Sequence, residues 1–222
     1  MTRAVLFDLD GTLADTAPDL ARALNCLLAE RGLAPVSIDV TRPLTSSGAR
    51  GMIKAGFGLT PESPDYESLK TRFLELYGES VCIETTLFDG MPALLEALER
   101  RGMPWGVVTN KLDRFTRPLL EALGLASRAA CIVSGDTVAR PKPHPDSLLH
   151  ASRALALDPA ACLYVGDDVR DIQAARAAGM PIIAAAYGYL GDDGDPHRWG
   201  ADAVIDHPLE TLNFLGLHPS VG

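Results

Sequence analysis

Val5-Leu6-Phe7-Asp8-Leu9-Asp10-Gly11-Thr12-Leu13-Ala14-Asp15-Thr16 stands almost at the amino terminus. The apolar run from Ala4 to Phe7 is too short for a helix and reads as a strand buried on both faces. It delivers two carboxylates, Asp8 and Asp10, and breaks at Gly11. Charges at the exit of a buried strand are costly unless something compensates them. Hard oxygen ligands suit magnesium, so a divalent cation is the natural partner. An Asp-Gly turn after a strand is also common in α/β proteins for reasons of turn chemistry alone. The rest of the chain has to decide between the two.

Downstream the pattern is helical. Thr16 is placed to cap a helix with Pro18 and Asp19 in its first turn, and Leu20, Leu24, Leu27 and Leu28 fall on one face before Gly32 stops it. A short helix is expected from Ala49 to Ala55. Another opens near Ser63-Pro64, with Tyr66, Leu69, Phe73, Leu76 and Tyr77 at helical spacing. No strand is expected between Asp15 and about Glu84. From Leu87 strands and helices alternate: strands at 105–108, 130–133, 163–165, 181–185 and 203–205, with helices between them and a last helix near 209–215. Alternation of this kind predicts an α/β fold, a doubly wound, Rossmann-like parallel sheet with helices on both faces. The expected division is a core of residues 1–14 and 85–222 with a small inserted α-helical cap of residues 15–84. Gly191 to Pro196 reads as an acidic surface turn whose register fits no calcium loop.

In open α/β sheets, ligands bind beyond the carboxyl ends of the strands. The residues after each buried run are therefore informative. The first run delivers Asp8 and Asp10, and the second Thr109-Asn110-Lys111. Beyond the third comes Arg140-Pro141-Lys142-Pro143, and the fourth ends in Gly166-Asp167-Asp168-Val169-Arg170-Asp171. Taken singly, Thr109 is an ordinary turn residue, Lys142 a solvated lysine, and Asp167 or Asp171 a helix cap. Together, at one edge of a parallel sheet, they form the parts of a phosphoryl-transfer site.

A carboxylate can attack phosphorus and divide one hard step into two. Attacker and phosphate repel each other, so a metal has to bridge them, and Asp167, first after its strand, is the natural second metal-binding carboxylate. Thr109 and Lys142 supply a hydrogen bond and a positive charge to the transferring oxygens. Asp10 is placed to protonate the leaving group and later to activate water.

These four motifs resemble those of the haloacid dehalogenase-like hydrolase superfamily: Asp8-Leu9-Asp10-Gly11-Thr12, the threonine after Val107-Val108, Lys142 between prolines, and Gly166 to Asp171. The resemblance implies Asp8 as nucleophile and Asp10 as general acid/base. It implies Mg2+ held by Asp8, the backbone carbonyl of Asp10, and Asp167. Asp171 would orient the metal shell or Lys142, and Asn110 would contribute to the phosphate site. The helical insertion would be a mobile cap that excludes water. Dehalogenases and phosphonate hydrolases of the superfamily lack an aspartate at the position of Asp10, which favours phosphate esters. Within the phosphatases the chain most resembles the phosphoglycolate phosphatase-like group, through Asp15-Thr16 and Val107 to Lys111. It is also similar to N-acetylmuramic acid 6-phosphate phosphatases, through Ser47 to Arg50, Tyr187-Gly188-Tyr189 and Trp199 to Asp202. Arg50 is the cap residue suited to a substrate carboxylate, which both groups' substrates carry. A sugar-phosphate mutase and a receiver-like signalling domain are the rival readings. The receiver has the wrong motif order and no helical insertion.

Composition sets the outer bounds. At 222 residues and 47% hydrophobic, the chain is an ordinary globular protein with one good-sized core. A net charge of -9 argues against nucleic acid or an anionic membrane as partner, but not against a small phosphate ester held locally. Four cysteines without Cys-x-x-Cys spacing are expected to be reduced, with Cys131 and Cys162 in buried strands. With no signal-peptide pattern and no membrane-length apolar run, a cytoplasmic monomer or homodimer is expected.

Overall fold

A computed structural model describes residues 1–191 and 194–215 of the chain. Asp192 and Asp193 of the acidic turn lie outside the described residues. Six strands form one parallel sheet: β1 (Ala4–Phe7), β4 (Trp105–Val108), β5 (Cys131–Val133), β6 (Cys162–Gly166), β7 (Ile182–Ala185) and β8 (Ala203–Ile205), in the order β5-β4-β1-β6-β7-β8. β1 lies between β4 and β6, with Val5 opposite Trp105 on one side and Leu163 on the other. That central position explains why the run is apolar at every residue, since both faces are covered.

Successive β1 side chains serve opposite layers. Val5 and Phe7 join the core that includes α5 (Met91–Arg100) and α6 (Asp113–Ala122), whereas Ala4 and Leu6 join the core that includes α7 (Asp146–Ala154) and α8 (Val169–Ala178). This is the doubly wound arrangement that the alternation predicts. The segment expected as a terminal helix, 209–215, is helical but wound as a 3-10 helix, Pro208–Leu215. Cys162 is buried, Cys131 is half-buried, and all four cysteines are free. No helix among the described residues is long and apolar enough to cross a membrane.

The helices of the insertion are α1 (Ala17–Glu30), α2 (Ile38–Thr41), α3 (Gly48–Phe57) and α4 (Tyr66–Gly78). The sequence reading leaves out the pair that brackets them. β2 (Ala14–Asp15) runs antiparallel to β3 (Thr86–Leu87), with Ala14 opposite Leu87 and Asp15 opposite Thr86. Two residues per strand are too few to leave a periodic signal. The insertion therefore enters and leaves at one place. Arg42 holds that place with two 2.9 Å bonds to the Asp15 carboxylate, which also accepts the Tyr189 hydroxyl at 2.8 Å.

Candidate active site

β1 ends at Phe7, and the next residues fold back in a tight turn: Leu13 and Ala14 both donate their N–H groups to the Leu9 carbonyl. Gly11 sits in that turn at φ +88, where a Cβ would lie 2.1 Å from Asp167 Oδ2. Only glycine suits both the dihedral and the approach. Gly188 meets the same carboxylate from another loop, with its hypothetical Cβ 2.3 Å from Asp167 Cβ. Between the two backbones, Asp167 accepts the Thr12 hydroxyl at 2.8 Å on Oδ1 and the Tyr189 N–H at 2.8 Å on Oδ2. Sequence reasoning offered no role for Thr12, and placed Tyr189 only within a family pattern.

Lys142 gathers the neighbouring groups. Its Nζ stands 2.9 Å from Asp8 Oδ1 and 2.7 Å from Asp171 Oδ1, and donates to the Val108 carbonyl at 3.1 Å and the Tyr164 hydroxyl at 2.8 Å. Its backbone is fixed by Asn110, whose side-chain amide donates to the Lys142 carbonyl and accepts the Lys142 N–H, both at 2.9 Å. Asn110 thus uses both ends of its side chain on the lysine. Tyr164 has the pattern of a core strand residue, but its hydroxyl also reaches Asp171, at 2.9 Å. Asp168, which the sequence reading passes over, caps α8 in a capping box with Asp171.

Electrostatics follow from this crowding. Burial pushes the Asp8 carboxyl up to about 7; Lys142 opposes the rise, and Asp171 and Asp10 add to it. Burial, then Asp8 and Asp171, hold Asp167 well above the usual carboxylate range. Burial works against the charge on Lys142, but Asp171 and Asp8 outweigh it and raise the ammonium to about 12. Asp8, Asp167 and Asp171 each bring a carboxylate oxygen within 4.8 Å of the others. One lysine cannot balance three buried carboxylates, and an all-oxygen set of this kind fits a hard divalent cation. Among the described residues Asp171 accepts three donors, Lys142 and Tyr164 on Oδ1 and the Asp168 N–H on Oδ2, against one on each oxygen of Asp167, while the contacts of Asp8 fall on Oδ1; Asp8 and Asp167 are therefore the better-placed ligands.

Asp10 turns elsewhere. Its Oδ1 accepts Lys111 Nζ at 2.7 Å and the Thr16 hydroxyl. Thr16 does stand at the start of α1, but its side chain does not cap the helix; the Ala17 N–H goes instead to the Tyr189 hydroxyl at 2.9 Å. Asp8, Asp10, Thr109, Asn110, Lys142 and Asp171 line one cavity of about 320 Å³, as does Arg50 from α3, which is exposed. Asp167 is buried behind it and is not part of the lining. Tyr66, Phe73, Leu74 and Tyr77 of α4 also line the cavity.

The sequence pattern of the haloacid dehalogenase-like hydrolases matches residues 5–185. The chain belongs to that family. Among its curated relatives, an N-acetylmuramic acid 6-phosphate phosphatase of Pseudomonas putida is 47% identical over 213 residues, covering 96% of each chain. A phosphoglycolate phosphatase of Xanthomonas campestris pv. campestris is 45% identical over 207 residues, 93% of each. Among solved structures of haloacid dehalogenase-like proteins, one described as a predicted phosphoglycolate phosphatase, from Haemophilus somnus, superimposes with a TM-score of 0.85 at 28% identity. It covers 96% of this chain and 98% of its own. CbbY of Rhodobacter sphaeroides, solved in complex with xylulose-(1,5)bisphosphate, superimposes at 0.71 with 28% identity over 95% of this chain and 96% of its own.

Proposed function

We propose that this haloacid dehalogenase-like protein is a magnesium-dependent phosphomonoesterase for a small metabolite, acting through an aspartyl-phosphate on Asp8. The observation that carries the reading is the junction at Lys142 Nζ, 2.9 Å from Asp8 and 2.7 Å from Asp171, on the wall of a cavity shared by core and insertion. Asp8 and Asp167, with the backbone carbonyl of Asp10, would hold the magnesium ion. When bound, it neutralises charge between the carboxylate and the phosphoryl group. Asp8 attacks phosphorus while Lys142 and the Thr109 hydroxyl hold the phosphoryl oxygens. As the ester bond breaks, its electron pair passes to the leaving oxygen, which takes a proton from Asp10. Asp10 then removes a proton from the water that releases phosphate and restores Asp8. Asp171 keeps Lys142 oriented, and residues 15–84 act as a cap over the core of 1–14 and 85–222, excluding water during the reaction. Purified protein with magnesium should release phosphate from p-nitrophenyl phosphate, with chelator stopping it; full turnover by Asp8→Asn would sink the nucleophile assignment.

Two substrates follow from the named relatives, 2-phosphoglycolate and N-acetylmuramic acid 6-phosphate, and Arg50 suits the carboxylate that each carries. The cavity favours the second. Its insertion side is aromatic, with Tyr66, Phe73 and Tyr77 in the lining. A sugar ring offers apolar faces to such a lining, which a two-carbon acid lacks. Steady-state kinetics on the two esters decide between them. Free sugar plus phosphate, rather than an isomer, excludes a mutase.

A further inference from the structure

All the hydrogen bonds that Asp10's carboxylate makes among the described residues fall on Oδ1, from Lys111 Nζ and the Thr16 hydroxyl. Lys111 is an unusual lysine. Its side chain is only 7% exposed, and its ammonium lies 4.8 Å from the ring centroid of Tyr77 on α4. Its backbone is anchored on both sides: the N–H donates to Thr109 Oγ1 at 3.1 Å, and the carbonyl accepts the Gly135 N–H at 2.8 Å and the Thr116 hydroxyl at 3.2 Å. A lysine ordinarily keeps its head group in water, so a buried one needs a compensating partner. Here Asp10 is that partner. Lys142, not Lys111, stands beside Asp8 at the phosphoryl end.

We propose that Lys111 is a positioning residue: by fixing Oδ1 it presents Oδ2 of Asp10 to the ester oxygen of the substrate. The proposal rests on Asp10 as the proton donor. In that step the Asp8–phosphorus bond forms, the phosphorus–oxygen ester bond breaks, and the proton on Asp10 Oδ2 moves to the departing oxygen. Two donors on one oxygen leave the carboxylate a single orientation, whereas Thr16 alone would let it turn. An ester whose alcohol leaves readily without a proton should feel this little, and an alkyl ester should feel it strongly.

The test compares kcat/KM, with magnesium, for p-nitrophenyl phosphate and for whichever of 2-phosphoglycolate and N-acetylmuramic acid 6-phosphate the wild type hydrolyses faster. Lys111→Met should lower the alkyl value about a hundredfold and the aryl value less than about tenfold, the scale of a misplaced general acid. Lys111→Arg, which keeps a cation beside Asp10, should recover part of the alkyl loss. Asp10→Asn should show the same split more strongly. Equal losses on both esters would mean that Lys111 serves phosphate binding or the fold, and would overturn the proposal, as would an unchanged alkyl value. If Asp10→Asn splits the substrates and Lys111→Met does not, the proposal fails while the acid assignment stands. If Asp10→Asn shows no split, the acid assignment fails and takes the proposal with it. Should Lys111→Met not accumulate folded, Lys111→Gln is judged by the same split.

Discussion

Asp19 Oδ2 accepts both the hydroxyl of Thr85, at 2.7 Å, and its backbone N–H, at 2.9 Å, across 66 residues of sequence. The same oxygen takes the N–H groups of Ile83 and Glu84, each at 3.0 Å. A fully buried carboxylate in the first turn of α1 thus closes the return crossing of the insertion against its entry. Asp19→Ala leaves three backbone donors without a partner and should cost about 3 kcal/mol, measured by urea unfolding. Thr85→Val removes one bond of the set and should cost about 1 kcal/mol.

The same carboxylate predicts a pH dependence. Burial tends to raise its pKa, but the hydrogen bonds from Thr85, Glu84 and Ile83 outweigh burial and hold it below the ordinary 3.8. A depressed carboxylate contributes stability that is fully present above its unfolded value and is lost as pH falls through the folded one. Wild-type stability should therefore drop on acidification below pH 3.8 more steeply than that of Asp19→Asn. Parallel urea titrations of the two proteins check the sign.

Asp8 and Asp167 were legible from the sequence because each is the first residue after a buried strand, so topology alone brings them to one edge. The sheet itself was legible for the same reason. Lys142 lies well past the end of β5 at Val133, and its flanking prolines, not an offset, marked it. Asp19 was not. A carboxylate in a first helical turn already has a sufficient explanation in the helix dipole, and its partners lie 64 to 66 residues away. The hydroxyl of Tyr164 was hidden by its place in a buried strand, where an aromatic ring needs no further reason. Lys111 followed Asn110 in a recognisable motif, but nothing in the spacing says that its ammonium turns back toward Asp10.

Magnesium should stabilise the fold as well as support turnover. Its binding would relieve repulsion among Asp8, Asp167 and Asp171, so at a hundred times the Kd it should add about 2.7 kcal/mol to unfolding stability. Asp167→Asn should remove most of that increment. Thermal unfolding with magnesium and with chelator reads the difference directly.

Gly188→Ala tests how closely the loops must approach. The added methyl would lie 2.3 Å from Asp167 Cβ and 2.4 Å from the Gly11 carbonyl oxygen, so one of the two backbones must move. A loss of about 1–3 kcal/mol is expected, the usual range for overpacking. Weaker magnesium binding by titration calorimetry should accompany it, because the displaced group is Asp167.

On substrate, N-acetylmuramic acid 6-phosphate should exceed 2-phosphoglycolate in kcat/KM. A hundredfold preference corresponds to about 2.7 kcal/mol of transition-state binding. Arg50→Ala should raise KM for both carboxylate-bearing esters by more than for p-nitrophenyl phosphate. A preference for the two-carbon ester would reverse the assignment.

The paired crossings at Ala14–Asp15 and Thr86–Leu87 have a topological outcome. Because the polypeptide departs from the sheet and rejoins it side by side, everything between hangs from the trunk like a graft. A graft can be lengthened, trimmed or exchanged without rethreading any strand. One phosphate-cleaving scaffold can in this way acquire new tastes for the remainder of its substrate while its reactive end stays put.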